Sequence, residues 1–219
     1  MRAGKTIKLV GNNRFLLSLR EETGIMEQGG GTMFDAILRA DQVILNGIQD
    51  LLRCDFLDIL MTFVTKLGNA GFIWILLGLL LCCFRKWRRT GVILLCSVAA
   101  AFLIGEVTIK PLVGRLRPFM DSAAVQLLID PPRGFSFPSG HSMSSFAAAT
   151  ALFLCGNRKV SWMWYLGAFL IAFSRLYLYV HYPSDVLTGA LLGSLTAWAV
   201  YGLFKRFSSR KKRKNFKEM

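Results

Sequence analysis

Five stretches of this sequence are almost free of charge and close to the length that crosses a lipid bilayer. Leu67–Phe84 has 18 residues and Val186–Phe204 has 19, none of them charged. Thr90–Ile109 carries a single charge, Glu106, near its end. Ser142–Asn157 is shorter and rich in Ala, Phe and Leu, and Val160–Ser174 is uncharged and is expected to run on to Val180 through Arg175. A helix needs ~20 apolar residues to span a ~30 Å hydrocarbon layer, so the shorter runs rely on flanking residues or packing. Buried core helices of a soluble protein are the competing explanation, and five of them in 219 residues is more than such a core holds. A mean hydropathy of +0.44 with 18% charged residues excludes a disordered chain and argues against an ordinary soluble enzyme. The predicted fold class is all-α, a polytopic membrane helix bundle with five to six transmembrane helices.

The net charge of +14 would suit a nucleic-acid partner, but basic loops on a multi-span protein account for it better, and no nucleic acid is expected. Arg85–Arg89 joins the first two strong runs, Asn157–Lys159 joins the third and fourth, and Lys205-Arg206 with Arg210–Lys214 follow the fifth. If each run crosses once, these segments share one side, which the positive-inside rule makes cytoplasmic, the C-terminus included. The polybasic tail is either a topology signal or a contact to anionic lipid headgroups. Phe34–Leu52 has apolar residues at helical spacing broken by Asp35, Arg39, Asp41, Gln42, Asn46, Gln49 and Asp50. It either lies in the membrane interface, the preferred placement, or crosses with its polar face against other helices. A crossing within 34–66 would also bring the basic N-terminus to the cytoplasmic side. The chain divides into a weakly ordered tail (1–33), a membrane domain (34–205) and a polybasic tail (206–219). No signal peptide is expected, because no adequate apolar core follows the basic start, and Met26 or Met33 are alternative translation starts. The five cysteines form no CxxC pair, so neither a disulfide framework nor a zinc site is indicated.

Three polar segments fall on the side opposite the basic loops. Lys110 and Arg117 stand seven positions apart, with Arg115 and Pro118 close by; Pro138-Ser139-Gly140-His141 precedes an apolar helix; and Ser174-Arg175 is followed by His181 and Asp185. Each has a plain structural explanation. Lysine and arginine at a span end snorkel to the interface, which covers Arg115 well and Lys110 as well as any function does. Arg117 fits less well, because Pro118 pins the backbone beside it. Ser139 is a helix N-cap, Gly140 admits a ligand close to the backbone, and the free N–H groups there attract anions, as at any capped helix start. Arg175 inside an apolar run is costly without a partner or a function. His181 is either an interface histidine near Tyr182 or a nucleophile. A helix starting near Pro183-Ser184 would place Asp185 in its first turn, within reach of the imidazole.

Together the segments support one mechanism. Lys110, Arg117 and Arg175 neutralise phosphoryl oxygens, helped by Ser139 and the Gly140 N–H, since phosphoryl transfer needs mostly positioning and charge stabilisation. His181 attacks phosphorus in line, Asp185 orients it, and His141 protonates the leaving oxygen and then activates water. No metal or other cofactor is expected, because fixed cations supply the charge neutralisation and no carboxylate cluster suits Mg²⁺.

These residues resemble the signature of the type 2 phosphatidic acid phosphatase family: Lys-x6-Arg-Pro, Pro-Ser-Gly-His, and Ser-Arg-x5-His-x3-Asp. All eleven specified residues match, as Lys110, Arg117, Pro118, Pro138–His141, Ser174, Arg175, His181 and Asp185. The resemblance covers roughly 34–205. It implies a helical membrane phosphatase with a phosphohistidine intermediate, no metal and the roles assigned above. Soluble vanadium-dependent haloperoxidases share the motif, but the five apolar runs argue against that relative. The short build further resembles the family's undecaprenyl-diphosphate phosphatases, which act outside the cell membrane. That implies a cell-membrane enzyme with an extracytoplasmic site and a polyprenyl diphosphate or other lipid phosphate as partner. Phosphatidic acid and phosphatidylglycerol phosphate are alternatives, as are transfer of the phosphoryl group to an acceptor hydroxyl and, last, a lipid transporter without catalysis. Phe119, Phe135 and Phe137 are candidate lipid-groove residues, or ordinary interface aromatics. Oligomeric state is not legible.

Overall fold

The computed structural model describes residues 33–121, 126–156 and 158–217; the expected N-terminal tail lies outside these apart from Met33. Helices α1 (Met33–Leu52), α2 (Asp55–Leu67), α3 (Phe72–Cys83), α4 (Arg88–Phe102), α5 (Lys110–Val113), α6 (Pro118–Asp121), α7 (Gly140–Cys155), α8 (Arg158–Tyr177) and α9 (Pro183–Lys217) follow in chain order, with no strand among the described residues.

By length and composition α9 can cross a membrane alone, as can the segment Arg88–Met120, which is helical from α4 through the π-helical turn to Val113. The first apolar run departs from expectation. It begins at Asp55 rather than Leu67, and α2 and α3 meet the same criterion as a pair bent by 46°. The bend falls at Gly68–Gly71, where Ala70 (φ 50°) and Gly71 (φ 70°) are left-handed. A bend of that size lets α3 run on rather than turn back. The expected helix through Val180 ends instead at Tyr177. The Thr90–Ile109 run is α-helical only to Phe102, then widens into a π-helical turn over Leu103–Ile109.

The bundle packs as apolar solvent demands, with small residues inside and large ones outside. Helix α7, 16 residues long, is its centre and lies against α4, α8 and α9. Ala147, Ala148, Ala149 and Ala151 are fully buried, whereas Leu187, Leu191, Leu195 and Trp198 on α9 face outward. A Cβ on Gly193 would run into the Met143 carbonyl, so this glycine lets α7 and α9 approach closely. Trp74 of α3 is buried and donates to Ser145 of α7 at 2.9 Å.

Helix α1 is not simply an apolar face laid on a bundle. Asp41 and Leu45 are buried, while Val43 and Leu51 are 72% and 83% exposed. Its polar side grips the loop after α8: Gln42 donates to the Tyr179 hydroxyl (2.8 Å) and Gln49 to the Tyr177 carbonyl (2.8 Å). Asp41 accepts from Ser184 at the start of α9 and from Arg115, between α5 and α6. That suits a helix running along one end of the bundle. The starts of α7 and α9 are joined by a backbone hydrogen bond, and Lys110, Gly140 and His181 share one cavity, so the three polar segments lie at one end of the bundle and the starts of α4 and α8, with the far end of α9, lie away from it.

Candidate active site

The spacing of Lys110 and Arg117 becomes a turn in space. Helix α5 ends at Gly114, whose φ of 62° would strain any other residue, and the chain reverses so that Arg117 returns towards Lys110. Helix α9 starts at Pro183, which places Asp185 in its first turn. The Ser139 N–H donates to the Asp185 carbonyl (3.1 Å), tying the start of α7 to the start of α9.

Lys110, Arg117, Gly140, His141, Arg175 and His181 line one cavity of about 250 Å³. The structure thus brings together six of the eight expected residues around one space. The other two stand behind it. Ser139 is fully buried and its Oγ is occupied as the N-cap, accepting from the Ser142 Oγ at 3.0 Å. Asp185 is also fully buried, with its Oδ2 3.5 Å from His181 Nδ1.

The tautomer of His181 follows from its neighbours. Arg117 Nη1, which can only donate, lies 3.1 Å from His181 Nε2, so Nε2 carries the lone pair. Nδ1 then bears the proton, facing Ser136 Oγ (3.4 Å) and Asp185. The Ser136 hydroxyl itself donates to Asp185 Oδ2, which also accepts from the Tyr182 N–H (2.9 Å). Burial, with Arg175, Arg117 and Lys110 around it, pushes the His181 imidazole well below its ordinary pKa of 6.5. It is therefore neutral at pH 7, with a lone pair directed at the cations. This is the state a nitrogen nucleophile requires.

The cations are short of counter-charge. Besides His181, Arg117 donates to the Gly134 and Val180 carbonyls (both 3.0 Å) and to the Arg133 carbonyl (3.3 Å). Arg175, 3% exposed, donates to Thr65 Oγ1, and its buried Nε has no hydrogen-bond partner among the described residues. Buried charges without counter-ions are costly, and an anion in the cavity would relieve that cost. Among the described residues one carboxylate lines this space: Glu106, on the π-helical turn, takes the Lys110 ammonium. A Cβ at residue 140 would collide with it, so Gly140 is what lets Glu106 reach the N-terminus of α7. His141 Nε2 lies 3.0 Å from Asn69 Oδ1 at the α2–α3 bend.

Arg115 corrects the sequence expectation. It does not snorkel. Its Nη1 donates to Asp185 Oδ1 and Ser184 Oγ, its Nη2 to Asp41 Oδ2, all at 2.7 Å, and its guanidinium lies 4.0 Å from the centre of the Tyr182 ring. Asp41 in turn accepts from the Ser184 N–H (2.8 Å). Asp41, Ser136, Glu106, Asn69 and Thr65 were likewise not singled out by motif. Of the three candidate groove phenylalanines, none lines this cavity; Phe119 packs beside Tyr179 and Leu127 instead.

Residues 90–209, which hold all three motif blocks, match the family model of the PAP2 superfamily. The chain belongs to the PAP2 superfamily. A Sulfolobus acidocaldarius protein named undecaprenyl-diphosphatase is 39% identical to this PAP2 protein over 138 residues, 62% of this chain and 65% of the other. The crystal structure of Aquifex aeolicus LpxE superposes with a TM-score of 0.66 at 28% identity, covering 74% of this chain and 94% of that one. A transmembrane PAP2-type phosphatidylglycerolphosphate phosphatase from Bacillus subtilis superposes at 0.64 with 29% identity, covering 88% and 94%. The chain spans less than two thirds of the length of several curated relatives it matches, the Sulfolobus protein among them. This PAP2 protein is a helical membrane protein. Asp41, Thr65 and Asn69 lie outside the matched residues.

Proposed function

We propose that this PAP2 protein is a membrane lipid phosphatase working through a phosphohistidine on His181, with a polyprenyl diphosphate as substrate. One observation carries the reading: a neutral imidazole nitrogen faces a cavity lined by three cations and one carboxylate, with the buried Arg175 Nε having no hydrogen-bond partner among the described residues. Lys110, Arg117 and Arg175 bind the phosphoryl oxygens. His181 Nε2 then forms a bond to the terminal phosphorus as its bond to the bridging oxygen breaks, the lipid monophosphate leaves, and His141 gives that oxygen a proton. In the second step water attacks the phosphohistidine, His141 takes a proton from the water, and the phosphorus–nitrogen bond breaks to release phosphate. Asp185, with Ser136, keeps the proton on Nδ1 and balances the positive charge that develops on the ring.

The name of the Sulfolobus relative supports a polyprenyl diphosphate, while the Bacillus structure keeps phosphatidylglycerol phosphate as the comparison. The basic segments at the opposite end of the bundle favour a site on the extracytoplasmic side and a cytoplasmic C-terminus. Purified protein in detergent with EDTA is expected to release phosphate from lipid phosphates. The panel is polyprenyl diphosphate, phosphatidic acid and phosphatidylglycerol phosphate, ranked by kcat/KM. His181→Ala abolishes turnover and Asp185→Asn slows it strongly. Activity that survives His181→Ala, or that EDTA removes and Mg²⁺ restores, overturns the mechanism.

A further inference from the structure

His141 opens onto two spaces. The cavity already described holds His181, Lys110 and Arg117. A second, of about 730 Å³, shares His141, Arg175 and Pro132 with the first but contains none of those three. Its other wall comes from α2 and the bend after it, Thr62, Thr65, Lys66 and Asn69, facing the loop 127–132. A groove then shares Thr62, Lys66 and Leu128 with this second cavity and leads past Ile59 and Phe63, which are 74% and 59% exposed.

In-line displacement gives these spaces different uses. The nucleophile enters on one side of phosphorus and the leaving oxygen departs on the other. With His181 as nucleophile and His141 as acid, the leaving group sits beyond His141, on the side away from His181. That is the second cavity. Its lining holds an exposed ammonium, Lys66, which makes no ion pair among the described residues. The one carboxylate in that lining is Asp130, on the facing loop, and Asp58 in the groove already accepts from the Tyr177 hydroxyl (2.6 Å) and lies 3.9 Å from Arg53. An alcohol leaving group has no use for a cation there, whereas a lipid-linked phosphate does.

We propose that the second cavity is the leaving-group pocket, that Lys66 holds the lipid-linked phosphate of a diphosphate substrate, and that the first isoprene units leave along Ile59 and Phe63. This rests on the phosphatase reading above. Lys66 is then the residue that makes the site prefer a diphosphate to a phosphomonoester.

Two substrates with the same tail, farnesyl diphosphate and farnesyl monophosphate, test this by initial-rate phosphate release in detergent. Lys66→Ala is expected to lower kcat/KM for the diphosphate about tenfold or more, the scale of one charge-assisted hydrogen bond, and to change the monophosphate value less than about twofold. Lys66→Arg keeps the charge and restores most of the diphosphate rate. Equal losses on both substrates, or no loss on either, overturn the pocket assignment and leave the phosphatase reading intact. A wild-type protein that hydrolyses no lipid phosphate overturns both.

Discussion

Asp41 sits on a helix that precedes all three motif blocks, yet its carboxylate is linked through Arg115 and Asp185 to His181. It is 3% exposed and accepts from Arg115 Nη2 and the Ser184 N–H, and Arg115 passes the contact to Asp185 beside His181. In Asp41→Asn one oxygen becomes an NH₂ group that cannot accept from the Arg115 or Ser184 donors. Removing one partner of a buried pair costs about 3–5 kcal/mol when both charges are fully desolvated. The Arg115 side chain is 17% exposed and keeps Asp185, so the smaller figure for one charge-assisted hydrogen bond applies, about 1.5–3 kcal/mol. If that loss reaches the transition state through Asp185, kcat falls about 10- to 100-fold. Asp41 does not line the cavity, so KM is expected to stay within about twofold. The assay is steady-state kinetics on one lipid phosphate, with thermal unfolding in the same detergent. A wild-type kcat with a lowered Tm refutes the reasoning, because Asp41 would then hold α1 and nothing more.

Further outcomes follow from the same structure. His181 is held below its ordinary pKa of 6.5, so its neutral form persists as the pH falls and is lost only on passing the lower folded-state value; the acid limb of kcat/KM therefore lies below 6.5. Lys110→Gln removes one of the cations responsible and moves that limb upward, read from the pH profile. For stability the sign is the same: below 6.5 the unfolded chain binds the His181 proton first, so unfolding free energy drops as pH decreases from there, measurable by denaturant melts. Glu106 places a negative charge among the cations that would hold phosphate, so Glu106→Gln is expected to strengthen inhibition by inorganic phosphate about tenfold or more. A Ki that is unchanged or weaker contradicts this. Gly193→Leu drives a side chain into the Met143 carbonyl and is expected to cost at least ~1–3 kcal/mol of stability, seen as a lower Tm in detergent.

The helices were legible because apolar runs in a membrane chain have little choice but to be helices. Where the prediction slipped, the cause was backbone geometry rather than composition. The bend at Gly68–Gly71 and the π-helical turn carrying Glu106 leave no mark in hydropathy. At the site, Lys110, Arg117, His141, Arg175 and His181 were found because phosphate chemistry restricts their type, whereas Glu106, which also lines the cavity, carries the wrong charge for that pattern. Behind the cavity, Asp185 was found through its spacing from His181, but Ser136 and Asp41 were not, because many polar residues can hold a histidine in place. Asp41 was visible only as one of several polar breaks in α1, and nothing in its spacing says which of them meets Arg115. Arg115 itself was misread, since an arginine at a span end looks the same whether it snorkels or bridges two carboxylates. Ser139 was expected both as a cap and as a phosphate ligand; the cap is what the structure shows, with its Oγ engaged by Ser142 and its side chain outside the cavity lining.

A rapid acid-free quench of the enzyme with a lipid substrate labelled in the scissile phosphate puts the nucleophile itself to the test. The account predicts label attached to His181, stable to base and labile to acid, absent in His181→Ala and longer-lived in His141→Ala, where the activated water is lost. Turnover without any protein-bound phosphate, or label that persists in His181→Ala, contradicts it.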